Sequence, residues 1–466
     1  MGSMIWLNYS DDLHVELLQG KEEGKDVRGY EERVRLIQAM KPGDPEREKQ
    51  AADVFDRVSS LPVESDFRYI EPSDITEIKN TRPERGKNVK PDIPDMSGDM
   101  LYDKVYGAWL GRCAGCLLGK PIEGWRRDRI TGLLKETGNY PVKYYISSAI
   151  SDDLRKRYNI ADECYNYGNR TISWINNVRH MPEDDDINYT VIGLKILERY
   201  GPGFTPDNVA ESWLLDLPIL HVCTAERIAY RNLINLVFPP LSAGYRNPYR
   251  EWIGAQIRAD FYGYITPGNP QLGAEMAWRD ASISHVKNGI YGEMFIAAML
   301  SAAAAVNDAE KLIENGLSQI PEKSRLSDGI RKTLSWKREG IGWEQAIDRI
   351  HELYDEKIQH YWCHTISNAM IVCIGLLFGG MDLEKSIGIA VSAAFDTDCN
   401  GATVGSIIGM VLGAKALPDK WINPLNDQLA SGVSGFSSVK ISDMAKRTVE
   451  IIKRSEKILM QIILLP

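Results

Sequence analysis

The sequence lacks a run of about twenty apolar residues, the length a helix needs to cross a bilayer. Its most apolar stretches, near 292–306 and 401–417, are alanine- or glycine-rich and carry polar residues. They read as core helices, and no membrane partner is expected. The start, MGSMIWLNYSDDLHVELL, has no basic segment leading into an apolar one, which is the pattern of a secretory signal. A cytoplasmic protein is therefore expected. Gly2-Ser3 ahead of Met4 has the look of a cloning remnant and is set aside. No block of like charge forms a basic arm, and 55 basic against 64 acidic residues give a net charge of −9. That balance argues against a nucleic-acid partner. The cysteines number seven, at 113, 116, 164, 223, 363, 373 and 399, an odd count at irregular spacing that excludes a disulfide framework. Cys113-Ala-Gly-Cys116 has no second pair to complete a zinc site and reads as core packing. There is no phosphate loop, no dinucleotide fingerprint and no short-period repeat. Strand signals are scarce, the best being VKYYI at 142–146, read as a short edge piece.

What is present is helical. With 44% hydrophobic and 26% charged residues in 466, the chain has material for one large core. Residues 1–98 read as an N-terminal helical extension and linker. DVRGYEERVRLIQAM and DPEREKQAADVFDRVSSL repeat apolar residues at three- and four-residue intervals. TRPERGKNVKPDIPDMSGD, rich in proline, glycine and charge, joins them to residues 99–466, an all-α domain. Helices are expected at 101–118, 188–200, 208–214, 222–235, 269–280, 288–306, 308–315, 325–336, 343–354, 364–379, 383–394, 399–416 and 441–460. The segment 236–268 interrupts them, irregular at first and with a helix expected through EWIGAQIRAD. Its Tyr245, Arg246, Tyr249, Arg250, Trp252 and Arg258 suit either a packed aromatic loop or the stacking of an adenine with its phosphates.

Two ladders of glycine stand out. Gly107, Gly111, Gly115 and Gly119 recur every four residues in VYGAWLGRCAGCLLGKPIEGW, which ends at Glu123. Gly401, Gly405, Gly409 and Gly413 do the same after Phe395-Asp396-Thr397-Asp398-Cys399-Asn400. Four-residue spacing puts each set on one helical face. A glycine inside a helix costs about 1 kcal/mol relative to alanine, so close approach of another backbone is the natural compensation. Between the ladders lies a third acidic knot, PEDDDINYT, ahead of an apolar helical pattern. One or two of its acids would cap the helix; three consecutive aspartates repel one another, and a divalent cation would relieve them. Asp396 and Asp398 sit between apolar runs with no basic residue from Lys385 to Lys415. Buried carboxylates need partners, and oxygen-only donors select Mg²⁺ or Mn²⁺ over zinc.

These blocks, in this order, resemble the ADP-ribosylglycohydrolase family, which includes dinitrogenase-reductase-activating glycohydrolases and crystallin-type proteins. Gly107 to Glu123 is similar to the family's G-x-x-x-G-x-x-x-G-D-x-x-G-x-P-x-E. Asp184-Asp185-Asp186-Ile187 matches a T-D-D-T block opening a helix. Asp396-Thr397-Asp398-Cys399 matches G-x-D-T-D-T, closed by Pro418 and Trp421. The likeness spans roughly residues 99–425. It implies a compact orthogonal helical domain around two magnesium ions, with manganese an alternative. It also implies metal ligands at Asp184, Asp185, Asp186, Asp396, Asp398 and Cys399, and catalytic roles for Glu123 and Asp185. Ser284, His285, Asn188 and Phe395 are implied at the substrate site. The implied activity is a metal-dependent glycosidase that hydrolyses an N- or O-ribosyl bond, in an ADP-ribosyl small molecule or an ADP-ribosylated target. The chain departs from the pattern at Asp184, Ile187 and Cys399, where the family has threonine, at Cys116, where it has aspartate, and at Phe395, where it has glycine. Asn188 stands where glutamine is frequent. These departures keep two other readings open: hydrolysis of a simpler nucleoside, nucleotide or glycoside, and a non-catalytic crystallin-like binding protein. Cys223 and Cys363-His364 also permit a cysteine–histidine hydrolase, although no strand-to-helix elbow accompanies them.

Overall fold

Both the ladder spacing and the apolar runs resolve into helix. The computed structural model describes residues 5–87, 96, 98–161, 164–166, 169–171 and 173–463, with the backbone alone described at 87, 164–166, 169–171 and 456–463. The Gly2-Ser3 remnant, most of the expected linker after Lys87 and the Cys164 side chain lie outside the described residues. The principal helices are α1 (Leu13–Glu22), α2 (Glu31–Ala39), α3 (Pro45–Ser60), α4 (Gly98–Gly119), α5 (Asp185–Tyr200), α6 (Ala225–Ile234), α7 (Pro270–Ala281), α8 (Asn288–Ala303), α9 (Arg325–Arg338), α10 (Thr365–Gly379), α11 (Leu383–Ser392), α12 (Thr397–Leu412) and α13 (Ile441–Ile463). Among the described residues the strands are confined to two antiparallel two-stranded hairpins, Cys164–Asn166 with Asn169–Thr171 and Gln428–Ala430 with Ser438–Lys440. The fold is all-α. No helix among the described residues is long and apolar enough to cross a membrane.

The glycine faces of α4 and α12 meet antiparallel. Gly107 lies on Gly409, Gly111 on Gly405, Gly115 on Gly401, and Gly119 on Thr397. A Cβ added to any of these glycines would fall under 3.0 Å from the opposite backbone, so no other residue permits the approach. This pairing has a consequence for chemistry. It sets the C-terminal end of α4, with Lys120 and Glu123 beyond it, against the N-terminal end of α12, where Asp396 and Asp398 sit. The Thr397 hydroxyl donates to the Gly119 carbonyl at 3.0 Å and ties the two ends together. Around this pair, α8 and α10 are buried along nearly their whole length.

The N-terminal helices α1, α2 and α3 pack on one another through Leu13, Leu17, Val34, Ile37, Val54, Phe55 and Val58. They dock on the rest of the chain mainly by charge. Arg250 binds Glu16 at 2.6 Å and Glu23 at 2.8 Å. Tyr249 donates to Asp12, and Arg246 pairs with Asp56. Of the residues of 236–268 weighed for adenine stacking, Arg246, Tyr249, Arg250, Trp252 and Arg258 have protein partners, while Tyr245 stays exposed beside Arg246. The helix expected through EWIGAQIRAD is replaced by turns, a single 3₁₀ turn at Gln256–Arg258 and a short helix, Asp260–Tyr264. Its charged residues are spent on tertiary ion pairs: Glu251 with Arg325, and Arg258 with Glu226 and Asp280. The strand expected at 142–146 is a loop. Asn139 Oδ1 accepts from the amides of Lys143 and Tyr144, so those groups are not free for a ladder, and Tyr145 is buried on Trp421.

Candidate metal centre

Three groups of side chains bring their ligand atoms within 4.8 Å of one another: Glu123, Asp396 and Asp398; Asp186, Asp398 and Cys399; and Cys116, Asp184 and Asp186. Shared Asp186 and Asp398 make them one continuous strip. It is assembled where the junction of α4 and α12 meets the first turn of α5. Asp184 is the N-cap of α5, and its Oδ1 accepts from the Asp186 amide at 3.0 Å. Capping thus accounts for one acid of the knot and leaves Asp185 and Asp186 for other work. Arg112, a charge inside the otherwise apolar ladder helix, holds that first turn in place. It donates to the Asp186 carbonyl at 2.7 Å and to Asp186 Oδ1 at 3.0 Å, and pairs with Asp260 at 2.8 Å.

Three carboxylate oxygens of the strip have no hydrogen-bond partner. Asp186 Oδ2, Asp396 Oδ1 and Asp398 Oδ1 are buried and unbonded. Burial, then the charge of neighbouring acids, pushes the Asp396 and Asp398 carboxyls above the usual carboxylate range. Asp186 is raised too, by burial and its acidic neighbours acting against Arg112. Asp184 runs the other way: despite burial, Lys120 beside it lowers its pKa. Glu123 is an exposed residue at the rim whose carboxyl reaches toward Asp396 and Asp398; burial of that carboxyl among the acids, then the Asp398 charge, raises it. Asp185, half-buried at the start of α5, adds its charge to Glu123, Asp186 and Cys399. Unbonded oxygens of this kind cost free energy unless a cation meets them. Oxygen donors at this spacing suit a hard divalent ion. The residues present therefore fit the magnesium or manganese that the sequence implies. Burial raises the Cys399 thiol well above its ordinary value, which keeps it a neutral, poor ligand for such an ion.

The residues implied at the substrate site lie in three places. Asn188 is buried, donates to Glu183 at 3.2 Å and accepts from the Gly432 amide at 2.7 Å, so it anchors the loop at 431–436. Ser284 and His285 bond each other at 2.8 Å inside a buried cluster with Arg258 and Glu226. Phe395 is buried against His351, ring centres 4.8 Å apart. It holds φ +56°, and Ala394 before it holds φ +66°, a region that favours glycine. The family's glycine at this position thus corresponds to a backbone requirement, and the Phe395 ring is directed into packing. Cys363 feels the charges of Asp396, Glu123 and Asp185, which places it near the acidic strip. Its neighbour His364 turns elsewhere, so the cysteine–histidine pair is not assembled.

One more cluster, Glu22 with His360 and His364, has ligand-like spacing. His360 Nδ1 accepts from Trp252 Nε1 at 3.1 Å, and His364 Nδ1 accepts from the Ile366 amide at 3.2 Å. Both partners can only donate, so each neutral ring carries its proton on Nε2. Those nitrogens face Glu22 at 3.3 and 3.4 Å. The cluster is a latch between α1 and the 360–364 segment, with no lone pair left for a metal.

Beside the strip, His221 Nδ1 meets Glu183 Oε1 at 2.6 Å. The hydrogen bond to Glu183 raises His221 above its model-compound value of 6.5. Glu183 is held below 4.5 by His221 and Asn188 against the penalty of burial. A raised histidine stabilises the fold fully below its unfolded pKa and loses that contribution as pH climbs through the folded value. The depressed glutamate stabilises above its unfolded pKa and loses that contribution as pH falls through the folded value. The pair therefore contributes most between about 4.5 and 6.5. The difference in melting temperature between wild type and His221→Gln is expected to be large at pH 5.5 and smaller at pH 9; an equal difference at both would refute the pairing.

A buried, arginine-anchored strip of carboxylates at the ends of close-packed helices defines a class of helical, hard-metal centres. Comparison with known proteins narrows the class. The family model described as ADP-ribosylglycohydrolase matches residues 97–456, and the chain belongs to that family. An uncharacterized protein of Archaeoglobus fulgidus is 25% identical over 336 residues, 70% of this chain and 93% of the relative. A solved structure described as an ADP-ribosylglycohydrolase-related protein complex is 16% identical, with a TM-score of 0.43, over 77% of this chain and 99% of its own.

Sequence reasoning missed Arg112 and Lys120. A lone arginine in a glycine ladder was a signal, because a charge on a face bound for the core must be paired. Asn368 was also missed. It accepts from the Asp396 amide at 3.2 Å and from Asn400 at 2.8 Å and fixes the turn carrying Asp396. Only its spatial position reveals it.

Proposed function

We propose that the protein is a divalent-metal-dependent glycohydrolase that cleaves an N- or O-ribosyl bond. The observation that carries this is the set of buried, unbonded oxygens of Asp186, Asp396 and Asp398 together with the Glu123 carboxylate that joins them from the rim. Asp396 and Asp398 would hold the cation, with Asp186 turned toward it and Arg112 fixing Asp186. Bound there, Mg²⁺ or Mn²⁺ supplies a Lewis acid that orients ribose hydroxyls and water. Glu123, at the rim, is placed to move a proton between water and the leaving group, and Asp185 adds negative charge next to a developing oxocarbenium ion. Family membership favours ADP-ribosyl compounds as substrates: ADP-ribosyl-arginine, ADP-ribosyl-serine and poly(ADP-ribose) come first. The grounds for a simpler sugar substrate weaken at Phe395, whose ring packs on His351.

Release of a ribose-containing product with Mn²⁺ present, and its loss with chelator, tests the reading. Intact substrates across that panel and across nucleosides and glycosides would sink it, and would leave the crystallin-like binding role. The same metal is expected to raise the melting temperature. A ligand at a hundred times its dissociation constant stabilises the folded state by about 2.7 kcal/mol. An unchanged melting curve at millimolar Mg²⁺ and Mn²⁺ would count against any metal-dependent activity.

A further inference from the structure

We propose that this centre takes a single divalent cation and that the ammonium of Lys120 occupies the second cationic position. The proposal rests on the metal-dependent reading above and concerns how this chain's own residues divide the strip. At one end the donors are available: Asp396 Oδ1 and Asp398 Oδ1 are buried and unbonded, and Glu123 faces them. At the other end they are spent. Asp184 Oδ2 is ion-paired to Lys120, and Asp184 Oδ1 takes the Asp186 amide. Asp186 Oδ1 is held by Arg112, which leaves only Oδ2.

Two residues that break the family pattern, Asp184 and Cys116, meet at that end, and a third, Cys399, lies between the two ends with Asp186 and Asp398. Asp184 and Cys399 stand where threonine is expected, and Cys116 where aspartate is expected. The thiols offer no hard oxygen. The threonine-to-aspartate change instead supplies a carboxylate, and the nearest cation to it comes from the chain itself. Lys120 is 3% exposed. Beyond the Asp184 ion pair, its charge interacts with Asp398 and Glu123, the donors of the first end. A buried ammonium needs such partners, and a second divalent ion on Asp184 would have to displace it. Hard ions require oxygen ligands in number, and of the buried carboxylate oxygens of Asp184 and Asp186 only Asp186 Oδ2 is unbonded.

Manganese titration of the full chain followed by electron paramagnetic resonance decides the matter. Wild type is expected to bind one Mn²⁺ per chain with the spectrum of an isolated ion. Lys120→Ala frees Asp184 Oδ2 and is expected to bind two, with the broadened signal of a coupled pair; Lys120→Arg keeps a cation and is expected to stay at one. Should Lys120→Ala not fold, Lys120→Met, which preserves the packed stem, takes its place. Two ions in wild type, or one in a folded Lys120→Ala or Lys120→Met, overturns the proposal while leaving the metal-dependent reading intact. No bound manganese in wild type overturns both.

Discussion

Asp398→Asn is expected to abolish turnover while making the metal-free protein more stable. Asp398 is shared between two of the ligand-atom groups, so its loss takes a donor from each and with it the cation. If the ion supplies about 4 kcal/mol of transition-state stabilisation, the rate falls on the order of 10³-fold. The sign of the stability effect follows from burial. Asp398 is 2% exposed, its Oδ1 is unbonded, and its pKa is raised in the folded state. A carboxylate with a raised folded pKa costs stability at every pH above its unfolded value. An amide in its place relieves that cost. The expected pattern is a higher melting temperature without metal, a small or absent shift with Mn²⁺, and no product. A variant that loses activity yet keeps the full manganese shift would remove Asp398 from the metal site.

Gly405→Val is expected to have the largest effect on folding. Its side chain would be driven into the backbone of Gly111, and neither helix has a flexible neighbour that can yield. Overpacking typically costs about 1–3 kcal/mol and occasionally more; backbone against backbone belongs at or beyond the upper end. The damage would also reach the chemistry, because sliding α12 along α4 separates Asp396 and Asp398 from Glu123. Gly29→Ala is the control: no atom lies within 4 Å of its added Cβ, and surface changes of this kind stay within about 0.5 kcal/mol. Thermal melts of the two variants check the contrast. A Gly405→Val protein as stable as wild type would mean the ladders do not meet as described.

The ladders were legible in the sequence because spacing alone puts glycines on one face, and one face without side chains has few uses. The helices from 188 onward were legible for the same reason, their apolar periodicity being set by one large core. The acidic blocks were legible as chemistry because clustered carboxylates between apolar runs have few stable explanations. Pairing was harder. Nothing local says that Arg112 reaches Asp186 and Asp260, or that Lys120 reaches Asp184, since those choices are made where α4 meets α5. The docking of α1 was hidden too: Glu16, Gln19, Glu22 and Glu23 look like an ordinary solvated face until Arg250, Glu251, His360 and His364 are placed against them. VKYYI misled because β-branched and aromatic content describes a half-buried surface as well as a strand, and Tyr145 meets that need by packing on Trp421.

The central claim is that chain segments far apart in sequence build one divalent-cation centre. Anomalous scattering from a crystal soaked in Mn²⁺ tests it most directly. The account predicts a manganese peak within bonding distance of the Asp396 and Asp398 carboxylates, on the side facing Glu123. Manganese absent from that position, or found instead between Glu22, His360 and His364, would contradict it.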